Sequence, residues 1–358
     1  MRIKKALFLG TLCTAVSGMS LFAQAGVSYA KSAEKTTEAA SSEEAESEEE
    51  TSEEVTYPIT IEHAFGETVI ESKPERIATI GWENQDTPLA LGVAPVGVST
   101  ANYGMVTDNN LHPWTDEAFA DLGVEKPVVF DDVDGLDFEQ ISDCNPDVIL
   151  AAYSGMTQED YDTLSQIAPV IPYKEKAWQT SWREQTIENA EGMGMKPEGE
   201  KKVKEVEDLI AEKLEEYPQL EGIPTAFCWI SADDFSTFYV YLPTDPRAAY
   251  LLDLGFTLPE SVQKLAGETD DFNITVSREN ADQLDDIQLM VVYGDEDLLK
   301  SLQEDKLMSQ IPAIKNGAVA LVDSTSALAG ACTPSILSIP YEIDEYLQLL
   351  SDAAENIK

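Results

Sequence analysis

Aromatic, amide and arginine side chains cluster just after the apolar stretches that this sequence predicts as β-strands. They follow RIATIG, DVILA and IPY in the first half of the chain and accompany FYVYLPTDPR in the second. Ligands of open α/β sheets bind beyond the carboxyl ends of the strands, so these side chains are candidates for a binding surface. The candidates are Trp82, Asn84, Tyr103, Tyr153, Trp182, Arg183, Tyr239, Tyr241 and Arg247, with Trp178 and Tyr293 in the same kind of segment. Aromatic rings there could stack on a flat ligand, although we expect core packing to explain about half of them.

Two glutamates, Glu139 and Glu279, occupy matching places in the two halves of the chain. Each stands in the first turn of a predicted short helix, after the predicted N-cap residues Asp137 and Ser277. An acidic side chain in a first turn stabilises a helix by about 0.3–1 kcal/mol, which accounts for a single glutamate without any function. Their paired occurrence favours a second role, in which two equivalent carboxylates bind arginines of a twofold-symmetric partner.

Motifs of common enzyme chemistry do not occur in this sequence. It has no Gly-x-Ser-x-Gly elbow, no phosphate-binding glycine loop and no HExxH. Its only histidines are His63 and His112, and the cysteines Cys144, Cys228 and Cys332 show neither metal spacing nor a disulfide framework. We therefore expect no enzyme and no protein metal site. An exported hydrolase on a duplicated α/β scaffold is the alternative from another functional class.

The composition and the N-terminal segment indicate an exported protein. A basic start and a long uncharged stretch predict an export signal over residues 1–30, cleaved after Ala25 or Ala30. Lipid attachment at Cys13 fits less well because Gly-Thr-Leu before it is a poor lipobox, and an uncleaved membrane anchor is a further alternative. Residues 31–56 are rich in Ser, Thr, Ala and Glu, which predicts an acidic disordered linker. The formal net charge of −44 would repel nucleic acid and anionic lipid, so we exclude both as partners.

The rest of the chain alternates strand and helix patterns, as is typical of α/β proteins with parallel sheets. Between two such runs, apolar residues recur at three- and four-residue steps from Glu198 to Tyr217, which predicts one helix about 30 Å long. We therefore predict an N-terminal lobe (57–197) and a C-terminal lobe (218–358), each with a mostly parallel sheet, joined by this long α-helix (198–217). A surface helix within one large domain is the alternative. A β-hairpin turning at Phe65-Gly66 is predicted to precede the first lobe.

Sequence blocks in the two halves echo each other, which indicates an internal duplication. Three blocks recur in the same order: Leu89–Val93 with Leu251–Phe256, Phe138–Leu150 with Ser277–Met290, and Leu164–Pro169 with Met308–Ala313. Each echo alone is weak because Leu and Gly are common residues. Together they predict two halves with the same topology.

From about Tyr57 onward the chain resembles the substrate-binding proteins of ATP-driven iron(III)-siderophore, haem and cobalamin importers. The resemblance is carried by PERIATIG, LALGVAPVGV, GLDFEQISDCNPDVILA, LSQIAP and the long inter-lobe helix. It implies a non-enzymatic receptor, expected to be a monomer on the outer face of the cytoplasmic membrane, with a small hinge motion. It also implies that Glu139 and Glu279 dock onto an ABC permease dimer with its ATPase. No cofactor is expected, since iron(III) would enter only as part of the bound siderophore.

The residues that match this family also bear on the ligand. Arg247 stands where siderophore-binding relatives place an arginine that faces the ligand. Where catecholate-binding relatives tend to have Ser-Gly-Arg, this chain has Ser-Gly-Met at 154–156, and no Lys or Arg occurs from Ile77 to Glu125. A trianionic tris-catecholate complex needs several cations when it is buried. We therefore predict a ferric siderophore of hydroxamate or mixed type, with haem bound through His112, Tyr103 or Tyr153 as the alternative.

Overall fold

The structure, a computed structural model, describes residues 55–132 and 135–358. The predicted export signal (1–30) and residues 31–54 of the predicted linker lie outside the described residues. The described residues belong to one compact unit, Glu53–Lys358. Within them, no helix has both the length and the apolar character needed to span a membrane.

An antiparallel hairpin of two strands, β1 (Ile59–His63) and β2 (Gly66–Ile70), begins the fold. Its residues alternate between exposed and buried, so one face packs on the first sheet. His63 pairs with Gly66, which places the turn one residue earlier than predicted at Phe65-Gly66. Gly66 has a φ of 126°, a conformation that residues with side chains rarely adopt.

The first sheet has five strands in the order β5-β4-β3-β6-β7, and every neighbouring pair is parallel. Its strands β3 and β6 are buried throughout, as expected for a parallel sheet covered by helices on both faces. The elements are β3 (Ile77–Thr79), α1 (Asp86–Ala90), β4 (Gly97–Ser99), α2 (Pro113–Asp121), β5 (Val129–Phe130), α3 (Phe138–Asp143), β6 (Val148–Ala151), α4 (Gln158–Leu164) and β7 (Val170–Pro172).

The second sheet also has five strands, in the order β10-β9-β8-β11-β12. Strand β9 is antiparallel to both neighbours, while β8, β11 and β12 are parallel. The elements are β8 (Thr225–Trp229), β9 (Thr237–Tyr241), α7 (Pro246–Asp253), α8 (Glu260–Ala266), β10 (Asn273–Ser277), β11 (Leu289–Tyr293), α9 (Glu296–Glu304), α10 (Pro312–Asn316), β12 (Val319–Val322), α11 (Ala327–Ala331) and α12 (Ser338–Ala354). Short 3₁₀ helices cover Pro218–Leu220, Arg278–Gln283 and Met308–Gln310. The predicted fold class, α/β with two mostly parallel sheets, is confirmed.

The two sheets share one strand order, although the second strand is parallel to its neighbours in the first sheet and antiparallel to them in the second. When the strands of each sheet are numbered in chain order, their order across the sheet is third, second, first, fourth, fifth. Helix α3 and the 3₁₀ helix Arg278–Gln283 both connect the third strand to the fourth, so this echo reflects structural equivalence. The echo of Leu89–Val93 in Leu251–Phe256 does not, because α1 follows the first strand of its sheet whereas α7 follows the second.

A pair of packed helices, α5 (Trp182–Gly192) and α6 (Lys196–Leu214), lies between the two sheets in sequence. The long helix has 19 residues and begins two residues before the predicted Glu198, with Pro197 inside its first turn. It packs closely on α5 at Gly199, where a Cβ would lie 2.5 Å from that of Ala190. The buried face of α6 shares a core with the second half of the chain. The predicted lobe limits (57–197 and 218–358) stay predictions, since the described halves pack into one unit.

Several elements of the structure were not predicted from the sequence. They are α2, α5, α8, α10, α11 and β10. Helix α5 does carry a local signal, because Ser181 and Glu184 form a capping box at its N-terminus. The others are short, and short segments have weak periodicity.

Candidate functional site

The candidate site lies at the carboxyl ends of the two sheets. In each sheet the first and fourth strands are neighbours, so the chain leaves them in opposite directions and a crevice forms beyond their ends. At the first sheet, Trp82 follows β3 and Tyr153 follows β6. At the second, Trp229 ends β8 and Tyr293 ends β11. The topology therefore brings aromatic side chains to the edge of each sheet where a ligand is expected.

The first half contributes a cavity that we call the tryptophan cavity. The ring of Trp178 lies between those of Trp82 and Tyr153, with centroids 5.3 Å from each. Gly155 permits this packing, because a Cβ there would lie 2.5 Å from the indole nitrogen of Trp178. The cavity measures about 320 Å³, and its lining includes Trp82, Trp178, Leu136, Met156, Asp132 and Asp160. This volume suits part of a small-molecule ligand.

The second half contributes an aromatic face on β8 and β9. Trp229 and Tyr239 lie side by side with ring centroids 5.5 Å apart, and they are 42% and 39% exposed. The same face continues into the core through Phe227 and Tyr241, whose centroids are 5.7 Å apart. Large aromatic side chains so exposed and adjacent indicate a contact surface. Trp229 was not among the predicted site residues.

Arg247 is the cation of this face. Its Nε and Nη2 donate hydrogen bonds to the carboxylate of Asp245 at 2.8 and 2.7 Å, and its guanidinium carbon lies 4.2 Å from the ring centroid of Tyr241. Burial opposes the charge, but Asp245 raises the pKa of Arg247 well above its usual value. Among the described residues, no acceptor bonds to Nη1. A charged, oriented donor is therefore available to a ligand.

Contacts bridge the two halves around the crevice. Tyr103, from the first half, packs edge-on against Tyr293 with centroids 5.3 Å apart. Elsewhere the Gln179 side chain donates a hydrogen bond to the Asp270 carbonyl at 2.9 Å. Burial raises the pKa of Tyr153, Asp245 adds to the rise and Arg247 opposes it. The predicted residues Tyr103 and Tyr153 therefore lie near the predicted Arg247 although they come from the other half of the chain.

Asn84 is placed differently from the prediction. Its side chain is fully buried, and its amide nitrogen donates to the carbonyls of Ile80 and Tyr153 at 2.8 and 2.9 Å. Its amide oxygen accepts from the Tyr153 backbone and from the side chain of Asn189. The side chain of Asn84 thus joins the loops that carry Trp82 and Tyr153. Because its amide nitrogen and oxygen already bond to protein groups, this location argues against direct ligand contact.

Trp182 and Arg183 likewise join parts of the protein. The indole nitrogen of Trp182, which is buried, donates to Asp253 at 3.0 Å. Arg183 donates to Glu207 at 2.6 Å and to Asp253 at 2.7 Å. These bonds fasten α5 to α6 and α7. The indole nitrogen of Trp182 therefore has a protein partner, whereas Nη2 of Arg183 has no acceptor among the described residues, and the role of both residues in ligand binding stays a prediction.

A buried group of ionisable side chains supports the Trp82 loop. His112 Nε2 lies 3.2 Å from a carboxylate oxygen of Glu83, and Asp86 accepts from Trp114 and Thr115 at 2.9 and 2.8 Å. Burial, reinforced by Glu83, raises the pKa of Asp86. Burial lowers the pKa of His112, but Glu83, the Met105 carbonyl and Asp86 together outweigh it, and the net shift is upward. Sequence reasoning named His112 only as an alternative haem ligand and did not predict this group, since its members are polar residues without a motif.

Glu139 and Glu279 are both exposed in first turns, as predicted. The predicted N-caps are also present: Asp137 accepts from the Gln140 backbone at 2.9 Å, and Ser277 accepts from the Glu279 backbone at 3.4 Å. The two glutamates occupy equivalent connections of the two sheets. Their contact with a permease stays a prediction.

Comparison with known proteins gives a consistent result. The model of the periplasmic binding protein family matches residues 77–325. The crystal structure of Streptococcus pneumoniae TIGR4 PiaA in complex with ferrichrome is 48% identical, with a TM-score of 0.81, and the match covers 84% of this chain and all of that one. The petrobactin-binding protein YclQ of Bacillus subtilis (strain 168) is 24% identical over 305 residues, which are 81% of this chain and 88% of that protein. Staphylococcus aureus SirA complexed with staphyloferrin B, at 23% identity and a TM-score of 0.64 over 84% of this chain and 99% of that one, shares the fold.

Proposed function

The chain belongs to the periplasmic binding protein family, and on that premise we propose that it captures a ferric siderophore and delivers it to an ATP-driven importer. The observations that carry this proposal are the tryptophan cavity of the first half, the exposed Trp229 and Tyr239 of the second, and Arg247 as an oriented donor. It binds a ligand without altering it, since we infer that the chain is not an enzyme. Iron(III) is part of the cargo, and no resident cofactor takes part.

The similarity to PiaA supports the class of ligand. That protein is 48% identical and its structure holds ferrichrome, a neutral complex of iron(III) with three hydroxamates. Here the aromatic residues Trp82, Trp178, Trp229 and Tyr239 offer apolar faces to such a complex, and Arg247 can donate to its carbonyl oxygens. We therefore favour a hydroxamate or mixed-type siderophore.

The charges at the crevice argue against a tris-catecholate ligand. Asp245 already neutralises Arg247, and Asp132 and Asp160 line the tryptophan cavity. A trianionic complex would meet carboxylates on one side and a single paired cation on the other. Burying such charge without partners is costly.

Neither histidine favours haem binding or hydrolysis. His112 is buried, with one ring nitrogen 3.2 Å from Glu83 and the other 3.1 Å from the Met105 carbonyl. His63 is buried in the hairpin and hydrogen-bonded to Thr68 at 2.9 Å. Each histidine therefore already has protein partners within the fold. No group of three His, Cys, Asp or Glu suited to a metal ion occurs in the described part of the chain.

The proposed partner is an ABC permease dimer with its ATPase, reached from outside the cytoplasmic membrane. The exposed Glu139 and Glu279 stand at equivalent connections of the two sheets, so they present two carboxylates to a twofold-related pair of permease subunits. We propose that the protein acts as an exported monomer and that the net charge of −44 excludes nucleic acid as a partner.

Native mass spectrometry of the purified protein with a mixture of ferric siderophores tests the proposal. We expect a retained ferric hydroxamate, and quenching of tryptophan fluorescence should then give its affinity. Tighter binding of an enterobactin-like complex than of a ferrioxamine-like one would reverse the ligand class. A Soret band on titration with haem would favour the haem alternative, and turnover in a hydrolase substrate screen would contradict a pure binding function.

A further inference from the structure

The tryptophan cavity combines aromatic faces with carboxylates. Trp82 and Trp178 lie against each other with centroids 5.3 Å apart, and Asp132 and Asp160 share the same lining. None of the described residues that line it is Lys, Arg or His. The electrostatic potential inside is therefore negative, and Arg247 is not part of the lining.

Asp132 is held in place rather than free to turn away. The Ser99 hydroxyl donates a short hydrogen bond to it, and the same oxygen of Ser99 accepts from the Gly81 backbone at 3.0 Å. The carboxyl is half-buried, and burial raises its pKa. A half-buried carboxylate attracts a neighbouring cation more strongly than an exposed carboxylate does, because the surrounding dielectric constant is lower.

The remaining lining distinguishes among possible cations. Leu136 and Met156 give the cavity apolar surface, and its volume of about 320 Å³ is larger than a single metal ion needs. Methylene groups fit against such side chains, while a terminal ammonium is attracted by indole faces and carboxylates. The lining matches an alkyl chain that ends in a positive charge.

We propose that the tryptophan cavity receives an alkylammonium arm of the siderophore, with Asp132 as the residue that selects for it. The ligand then spans the crevice, its iron-binding core near Arg247 and its cationic arm between Trp82 and Trp178. This inference rests on the proposed siderophore-binding function. Within the hydroxamate class, it predicts a preference for complexes with a pendant primary amine over those without one, such as ferrichrome.

A comparison of two ligands tests the proposal. Ferrioxamine B carries a free ammonium group, and its N-acetylated form has the same iron core without the charge. We expect the wild-type protein to bind the ammonium form about tenfold or more tightly, as measured by tryptophan quenching. Asp132→Asn should reduce this ratio to about threefold or less. Asp108→Asn, a matched change at an exposed carboxylate outside the cavity lining, should leave the ratio unchanged.

The outcomes separate this inference from the function on which it rests. Equal binding of both ligands by the wild-type protein, or an undiminished ratio in Asp132→Asn, overturns the cationic-arm site while leaving siderophore capture intact. Failure of both ligands to bind refutes siderophore capture as well. If Asp132→Asn does not fold, the comparison of the two ligands with the wild-type protein decides alone, and a ratio of affinities near one overturns the cationic-arm site.

Discussion

Removal of the Arg247 guanidinium should weaken siderophore binding by a predictable amount. Its Nη1 has no acceptor among the described residues, whereas Nε and Nη2 are held by Asp245. A hydrogen bond from a charged donor contributes about 1.5–3 kcal/mol, which corresponds to about 10- to 150-fold in Kd. The ring of Tyr241 and the carboxylate fix the donor in advance, so little entropy is lost on binding.

The single variant Arg247→Gln would not measure this contribution cleanly. Asp245 is fully buried, and a buried carboxylate left without its partner destabilises a protein by about 3–5 kcal/mol. The double variant Asp245→Asn/Arg247→Gln removes both charges. Asparagine is also a good N-cap, so it should keep the hydrogen bond that Asp245 accepts from the backbone at the start of α7. The double variant should therefore fold with a Tm close to that of the wild type.

Quenching of tryptophan fluorescence by ferrichrome is the assay, because Trp82, Trp178 and Trp229 lie at the crevice. The double variant should bind about 10- to 150-fold more weakly. Lys264→Gln, which removes an exposed cation elsewhere in the same half, should bind within about twofold of the wild type. A folded double variant with wild-type affinity would refute the assignment of Arg247 as a ligand donor.

Other predictions concern stability and docking. Burial, reinforced by neighbouring carboxylates, raises the pKa of Glu188 from 4.5 to about 8. Between these pH values the folded chain therefore binds more protons than the unfolded chain. The free energy of unfolding consequently falls as the pH rises from 4.5 to about 8. Glu188→Gln should accordingly raise the Tm at pH 8 by on the order of 1–4 °C and have little effect on the Tm near pH 4. Glu200→Gln, at an exposed site, should leave the Tm unchanged at both pH values. Charge reversal at Glu139 and Glu279 should abolish uptake, measured with labelled ferric siderophore, and leave Kd unchanged. Arg183→Gln should lower the free energy of unfolding by about 1 kcal/mol, measured by urea denaturation, without changing Kd, because its partly exposed ion pairs join helices.

Each of these results could come out otherwise. A Tm of Glu188→Gln that tracks the wild type at every pH would mean that this carboxyl is solvated in solution. Normal uptake by the charge-reversal variants of Glu139 and Glu279 would mean that these glutamates only stabilise the starts of their helices. A large loss of affinity in Arg183→Gln at unchanged stability would restore its predicted place at the ligand.

The sequence determined the features that depend on neighbours along the chain. Strand and helix alternation, the long helix and the caps at Asp137 and Ser277 follow from residue periodicity and local hydrogen bonding, and the structure has them all. The sequence also indicated the internal duplication, because the segments that precede the fourth strand of each sheet have similar sequences. Arg247 was singled out by the resemblance, because it stands where siderophore-binding relatives place an arginine that faces the ligand.

The tertiary structure decided which polar and aromatic groups remain available for a ligand. Arg183 and Trp182 bind Asp253, about 70 positions away in sequence, and Asn84 binds Asn189, so these candidates make protein contacts that no local pattern reveals. Which polar atoms of a side chain are left without a protein partner depends on every surrounding element at once. For the same reason Trp229, at the end of an apolar strand, was assigned to no site until the sheet showed it exposed beside Tyr239.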